Sequence, residues 1–165
     1  MSMRPVVIRC RERLREGRDK ARQQHDSGSP GVQVSTRLAD LYDDVVLDVW
    51  QEATREHVTD PRLGELCLVA HGGFGRRDLA PYSDADLMLL AARNSESLAQ
   101  KIAGDLTRDL VDIGIQPGFS LRAEAEACQL AWADPIIFSS LSESRLLAGS
   151  LQLYSKFFHR LRRGA

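Results

Sequence analysis

The sequence predicts a mixed α+β domain, a small sheet covered by helices and preceded by a helical lead-in, and three observations lead there. Two short apolar runs, Leu66 to Ala70 (LCLVA) and Asp86 to Ala91 (DLMLLA), have the length and composition of strands. Segments with apolar residues at helical spacing lie on both sides of them. The 165 residues are 43% hydrophobic and 27% charged, enough apolar material for a core of ordinary domain size.

In chain order, Val6 to His25 is rich in Arg, Glu, Lys and Gln and reads as an exposed helix, stopped by the turn-forming run Asp26-Ser27-Gly28-Ser29-Pro30-Gly31. A second helix follows, with Leu38, Leu41, Tyr42, Val45, Val49, Trp50 and Ala53 on one stripe and Ser35 or Thr36 available as its cap. Residues 1–60 are thus expected to be a helical lead-in and 61–165 the core with its following helices. The connector between the two strands is rich in Gly, Arg, Pro and Ser, too long for a tight hairpin turn and with room for one helical turn. Ser95 to Ile113 carries Leu98, Ile102, Leu106 and Leu110 at helical steps, and Gly114 stops it. Ile115 to Arg122 reads as a third strand, and Ala123 to Arg163 as helical with breaks at Asp134-Pro135 and near Gly149.

The net charge of -1 conceals a segregation. Residues 1–25 hold eight Arg or Lys against three acids, whereas Leu38 to Asp60 holds seven acids against the single Arg55. A solvated basic face beside an acidic helix accounts for this more simply than a binding surface does. Neither aromatic interleaving nor a basic recognition helix points to nucleic acid. No apolar run approaches the ~20 residues that span a bilayer, and arginines stand where a signal peptide would be apolar, so a cytoplasmic protein without a membrane partner is expected. Cys10, Cys67 and Cys128 are far apart and lack CxxC spacing, which predicts buried free thiols, with neither disulfides nor a zinc site.

The chemistry concentrates between His71 and Leu90. Asp84 and Asp86, one residue apart at the start of a strand, project to the same face about 7 Å apart, a spacing that suits Mg²⁺ completed by water and substrate phosphate. Gly72-Gly73 ends the preceding strand, and two residues without Cβ let backbone amides approach a phosphate, with a following helical turn aimed at the same anion. Each feature alone has a plainer reading, a solvated acidic loop or an ordinary turn. Their spacing, with ten residues between Gly73 and Asp84, carries more weight. Arg76 inside the loop is a candidate phosphate contact. Ser83 can donate to phosphate or cap the turn, and His71 reads as a packed strand-end histidine.

This arrangement resembles the motif of the polymerase-β-like nucleotidyltransferase superfamily, a Gly-Gly or Gly-Ser followed at this distance by Asp-hydrophobic-Asp. Gly75-Arg76-Arg77-Asp78-Leu79 and Pro81-Tyr82-Ser83-Asp84 look like the loop of bacterial protein-PII uridylyltransferases, which runs Gly-Gly-Tyr-Gly-Arg-Gly-Glu-Leu, then a Pro and Ser-Asp-hydrophobic-Asp-Leu. Upstream LREGRDKARQQHDSG and downstream GFSLRAEAEACQLAWADP and SLSESRLLAGSLQLYSKF extend the resemblance over residues 12–158. It implies a polymerase-β-like fold and Mg²⁺-dependent transfer of UMP from UTP to a tyrosine of a PII nitrogen-regulatory protein. Asp84 and Asp86 would be the metal ligands and catalytic pair, with Gly72, Gly73, Arg76 and Ser83 at the nucleotide phosphates. A catalytically degenerate nucleotide-binding module, or a transferase with another nucleotide or acceptor such as an adenylyltransferase, are the alternatives.

Several residues depart from the family pattern. Ala85 stands where Ile, Val or Leu is usual, Arg77 and Asp78 replace Gly and Glu, and Phe119 replaces His. Gln116 to Arg122 contains no acid to serve as a third carboxylate, a role open to Glu124 or Glu126, which read more simply as helix-start residues. Ser120 and Arg122 are further candidates for the cleft. Family members continue into a phosphohydrolase domain and two ligand-sensing domains that lie outside these residues. With His25, His57, His71 and His159 scattered, no UMP-removing activity is expected of this chain, read as a piece of a longer protein or a divergent stand-alone domain.

Overall fold

The computed structural model describes residues 4–164. Two long helices, α1 (Pro5–Asp26) and α2 (Gly31–Thr54), form an antiparallel hairpin in which Arg13 in the first half of α1 meets Asp48 in the second half of α2 at 2.7 Å. Pro5 opens α1, where its missing amide costs nothing, and α1 buries only Val6, Val7, Cys10, Leu14 and Ala21. Its other faces stay in water, as its composition requires. Helix α2 begins earlier than its cap residues suggested. Ser35 and Thr36 lie inside it, and the Thr36 hydroxyl donates back to the Val32 carbonyl at 2.9 Å.

After two short 3₁₀ turns, Arg55–His57 and Pro61–Glu65, the chain enters the sheet. Strand β1 (Leu66–Ala70) pairs antiparallel with β2 (Ala85–Ala91), with Leu68 opposite Leu89. Between them lies the single-turn helix α3 (Gly72–Gly75). Helix α4 (Glu96–Ile113) crosses over to β3 (Pro117–Ala123), which lies parallel to β2. The third strand starts later than the apolar pattern implied because Ile115 is taken up by the capping turn that ends α4. Gly114 turns left-handed at φ 99°, and the Ile115 amide donates to Leu110 in the last helical turn.

The region after β3 is not wholly helical. Helices α5 (Glu124–Ala133) and α6 (Pro135–Ser142) are followed by a fourth strand, β4 (Arg145–Gly149), and only then by α7 (Leu151–Arg163). Strand β4 pairs antiparallel with the outer side of β1 through a bulge at Leu68/Val69, giving the sheet order β3-β2-β1-β4. The break expected at Asp134-Pro135 is there, with Asp134 accepting from the Ile136 amide at 2.8 Å.

Both faces of the sheet are covered, so β1 is buried at every residue and reads as an unbroken apolar run. Leu66, Leu68, Ala70, Leu87 and Leu89 face α1, α2 and α4. Cys67, Val69, Met88 and Leu90 face α5, α6 and α7, where Phe157 and Leu161 close the second cluster. All three cysteines are free and buried, and burial pushes the Cys67 thiol up to about 12. Ala85, smaller than the family's usual residue, is itself fully buried on the α2 side. No helix among the described residues is long and apolar enough to cross a membrane.

Gly149 locks β4 in place: its φ is 90°, and a Cβ there would collide with the backbone carbonyl of Leu66. Gly149→Ala is expected to destabilise the protein by at least about 1 kcal/mol, read as a lower midpoint in denaturant unfolding. An unchanged midpoint would contradict this β1–β4 contact.

Candidate functional site

Strand parity places the site. Asp86, Met88 and Leu90 share the sheet face that meets α5 to α7, and the parallel register puts Gly118, Ser120 and Arg122 beside them on β3. Asp86 opens this row at the strand end that the glycine loop overhangs. A Cβ on Gly72 would lie 2.7 Å from Asp86 Oδ2, and one on Gly118 would lie 2.5 Å from Asp86 Oδ1. The carboxylate therefore occupies a slot that exists only because both flanking residues are glycine. Among the described residues it accepts no hydrogen bond and forms no ion pair, although half buried. Such a carboxylate is poised to take a cation or a donor from outside the chain.

Asp84 stands one residue ahead of β2 and is exposed. It too has no partner among the described residues. No group of three or more His, Cys, Asp or Glu side chains there converges to hold a metal ion. A magnesium site built on two carboxylates and completed by water and phosphate oxygens fits this donor set, since Mg²⁺ is seldom caged by protein ligands alone.

The glycine loop is shaped by contacts that reach across the fold. Gly72 has φ 56°, and a Cβ on Gly75 would strike the Glu143 carbonyl at the end of α6. Ser83 closes the last turn before Asp84: its hydroxyl accepts from the Ala80 amide at 3.0 Å, and its amide donates to the Ala80 carbonyl. Arg76, at the rim, is ion-paired with Glu143 at 2.5 Å. Arg77 is partly exposed, and its charge is directed at carboxylates of the chain itself. Its guanidinium pairs with Asp40 and, at 3.1 Å, with Asp43 of α2. Arg145, which the sequence reading did not single out, approaches the same carboxylate from β4 with contacts of 2.6 and 2.9 Å, donates to the Phe74 carbonyl at 3.1 Å and stacks on the Phe74 ring. Its only signal was its place in the segment SESRLLAG, since a contact between residues 43 and 145 leaves no local pattern.

The family described as "Putative nucleotidyltransferase DUF294" matches residues 15–120. The chain belongs to this nucleotidyltransferase family. Among curated relatives, the bifunctional uridylyltransferase/uridylyl-removing enzyme of Nitrosococcus oceani is 35% identical over 150 residues, covering 91% of this chain and 16% of the relative. Those of Methylococcus capsulatus and Azospirillum brasilense are 31% and 32% identical, covering 90% and 98% of this chain and 16% and 17% of the relatives. The chain thus spans about one sixth of the length of the relatives it matches. It is an enzyme domain of the nucleotidyltransferase type, and its helices around a small mixed sheet agree with a polymerase-β-like fold.

Within this nucleotidyltransferase domain the remaining candidates divide clearly. The site-facing positions of β3, Gly118, Ser120 and Arg122, include no acid, and Phe119 points the other way into the α1/α2/α4 core. Glu124 is buried and held by Lys156 at 2.9 Å and Arg160 at 3.6 Å, and Glu126 pairs with Arg122 at 3.1 Å. Both are structural ion pairs. His71, Ser120 and Arg122 line a common cavity of about 190 Å³ with Met88 and α5–α6 residues.

Two measurements test this geometry. Arg77 has φ 63°, a left-handed conformation that favours the glycine usual at this position. Arg77→Ala removes the ion pairs and keeps the strain, so it should be less stable than Arg77→Gly by about 1 kcal/mol; the reverse order in thermal unfolding would refute this account. Burial pushes the His71 imidazole below its ordinary value of 6.5, with the Asp86 charge acting in the opposite direction. The stability of the neutral ring is therefore present above pH 6.5 and lost as pH falls through the lower folded value. NMR titration should give a midpoint below 6.5, lower still in Asp86→Asn, where the opposing charge is gone.

Proposed function

We propose that this domain transfers UMP from UTP to a tyrosine hydroxyl of a PII nitrogen-regulatory protein in the cytoplasm, with Mg²⁺ held by Asp84 and Asp86. The observation that carries the reading is the unpartnered Asp86 carboxylate in its slot between Gly72 and Gly118. The uridylyltransferase relatives support the choice of UTP, the resemblance of the loop to protein-PII uridylyltransferases supports PII as acceptor, and the free buried thiols agree with a reducing compartment.

Bound there, Mg²⁺ would neutralise phosphate charge and render the α-phosphorus electrophilic. The chain's own part is to place the groups. The amides of Gly72 and Gly73, at the start of a helical turn and without intrahelical partners, face the triphosphate. Arg76 exchanges Glu143 for phosphate oxygens, a trade between two anions at an exposed rim. Ser83 fixes the turn that presents Asp84. As the tyrosine oxygen bonds to the α-phosphorus, the bond to the α–β bridging oxygen breaks, pyrophosphate leaves and the phenolic proton passes to solvent water. Electrostatic placement, with no covalent enzyme intermediate, lowers the barrier.

One observation favours a second reading, a nucleotide-binding module without turnover: no acid stands on the site face of β3 to receive the tyrosine proton. Incubation with labelled UTP or ATP, Mg²⁺ and a PII protein, followed by mass analysis of the acceptor, separates the two. UMP transfer is expected, with Asp86→Asn reducing the rate by about 10²-fold or more while the protein stays folded. Metal-dependent binding without transfer supports the non-catalytic module, and AMP transfer supports an adenylyltransferase.

A further inference from the structure

The residues assigned so far come from the glycine loop and β2, yet one wall of the site belongs to α6. Between that helix and the loop lies a cavity of about 400 Å³ lined by Gly72, Arg76, Pro135, Ile136, Ser139 and Ser140. Its polar side chains are a guanidinium and two hydroxyls, with no carboxylate among them, a donor set that suits an anion with several oxygens. Ser140 lies beside Gly72, the residue that flanks the Asp86 carboxylate. The point where a Gly72 Cβ would stand is 3.2 Å from Ser140 Oγ and 2.7 Å from Asp86 Oδ2, so hydroxyl and carboxylate border the same gap.

A serine within a helix usually donates to a carbonyl of its own preceding turn or is solvated. Ser140 instead turns to His71, whose Nδ1 lies 2.8 Å from its oxygen, and it has no other partner among the described residues. His71 is itself tied to the metal-side strand, its amide donating to the Asp86 carbonyl at 3.1 Å. The imidazole thereby sets the position of the hydroxyl relative to Asp86.

The geometry points to Ser140 as a phosphate-binding residue of the nucleotide site, with His71 as the residue that positions it. This rests on the reading of the site as one for a nucleoside triphosphate, and it adds a wall from α6, outside the glycine and Asp-x-Asp motif. With the proton on Nδ1, His71 donates to Ser140 Oγ and leaves the hydroxyl hydrogen free to donate to a phosphate oxygen beside the metal. The purine or pyrimidine base plays no part in the contact, so an inorganic triphosphate feels it as fully as UTP does.

Calorimetric titration of UTP and of tripolyphosphate, each with Mg²⁺, into the wild type, Ser140→Ala, Ser140→Cys and Ser140→Thr tests this. Loss of one hydrogen bond to a charged group should weaken both probes by about ten-fold in the Ala and Cys variants, with the Thr variant, which keeps the hydroxyl, close to wild type. Melting curves show that the variants are folded, and the Cys variant preserves the shape if Ala does not fold. Wild-type affinity for both probes in the Ala or Cys variant overturns the assignment while leaving the nucleotide site standing. A wild type that binds neither probe fails the nucleotide-site reading itself, and this assignment with it. Long-range ¹H–¹⁵N spectra of the wild-type UTP complex are expected to place the His71 proton on Nδ1; a proton on Nε2 alone overturns the positioning role.

Discussion

The carboxylate of Asp43 is the contact on which the rest of the site depends. It projects from α2 into the angle between the glycine loop and β4, and it receives Arg145 through both oxygens and Arg77 through one. Arg145 in turn donates to the Phe74 carbonyl, so one acid ties together the lead-in hairpin, the edge strand and the one-turn helix of the loop. Asp43 and Arg145 are mostly buried, and charges so placed are tolerable only as a set. Removing any one of them strands the others, which is why such a cluster holds its parts in a single arrangement more effectively than its net energy suggests. Without it, the chain from His71 to Asp84 would be a long surface connection, and long connections keep no fixed geometry unless something outside them supplies it.

This dependence explains which parts of the fold were legible in the sequence. Strands β1 and β2 are continuous apolar runs and helix α4 carries a periodic apolar stripe, and both patterns are local, so Leu66–Ala70 and the Leu98, Ile102, Leu106, Leu110 stripe could be read directly. Strand β4 could not. Its residues Arg145 to Ala148 are as suited to a helix as to a strand, and each is only partly buried because β4 lies at the sheet edge. What makes it a strand is the backbone of β1 beside it and the close approach of Gly149 to Leu66, both tertiary facts. Ile115 was misplaced for a related reason: an apolar residue after a helix-stopping glycine packs equally well as the end of the helix or the start of a strand, and the backbone bond to Leu110 decides it.

The candidate site divides along the same line. Gly72, Gly73, Asp84 and Asp86 are close in sequence and could be found by spacing, although the boundary of β2 leaves Asp84 just outside the strand. Residues that meet them from a distance could not be found that way. Ser140 reaches His71 across 69 positions, and Arg145 reaches Asp43 across 102. Arg77 shows how far a local reading extends. Its departure from the usual glycine was visible, but the left-handed backbone and the two α2 carboxylates that hold the guanidinium there were not. The ion pairs offset a conformation that a side chain would otherwise disfavour, and the cost of losing glycine is met by acids on another element.

Where a fold is locally inconsistent, it is informative about function. Most of this structure satisfies itself: the sheet is covered on both faces, and Glu124 and Glu126 have cationic partners. At the open end of β2 the opposite holds. A half-buried carboxylate lacks a partner, and glycines on both sides remove the side chains that might have filled the space around it. Glycine also weakens a strand, as at Gly118 in β3, so neither choice favours stability. Residues that leave a gap and a charge unsatisfied in the same place are explained by something that enters from outside. The surrounding loop, helix and edge strand are braced so that the gap keeps its shape before anything arrives.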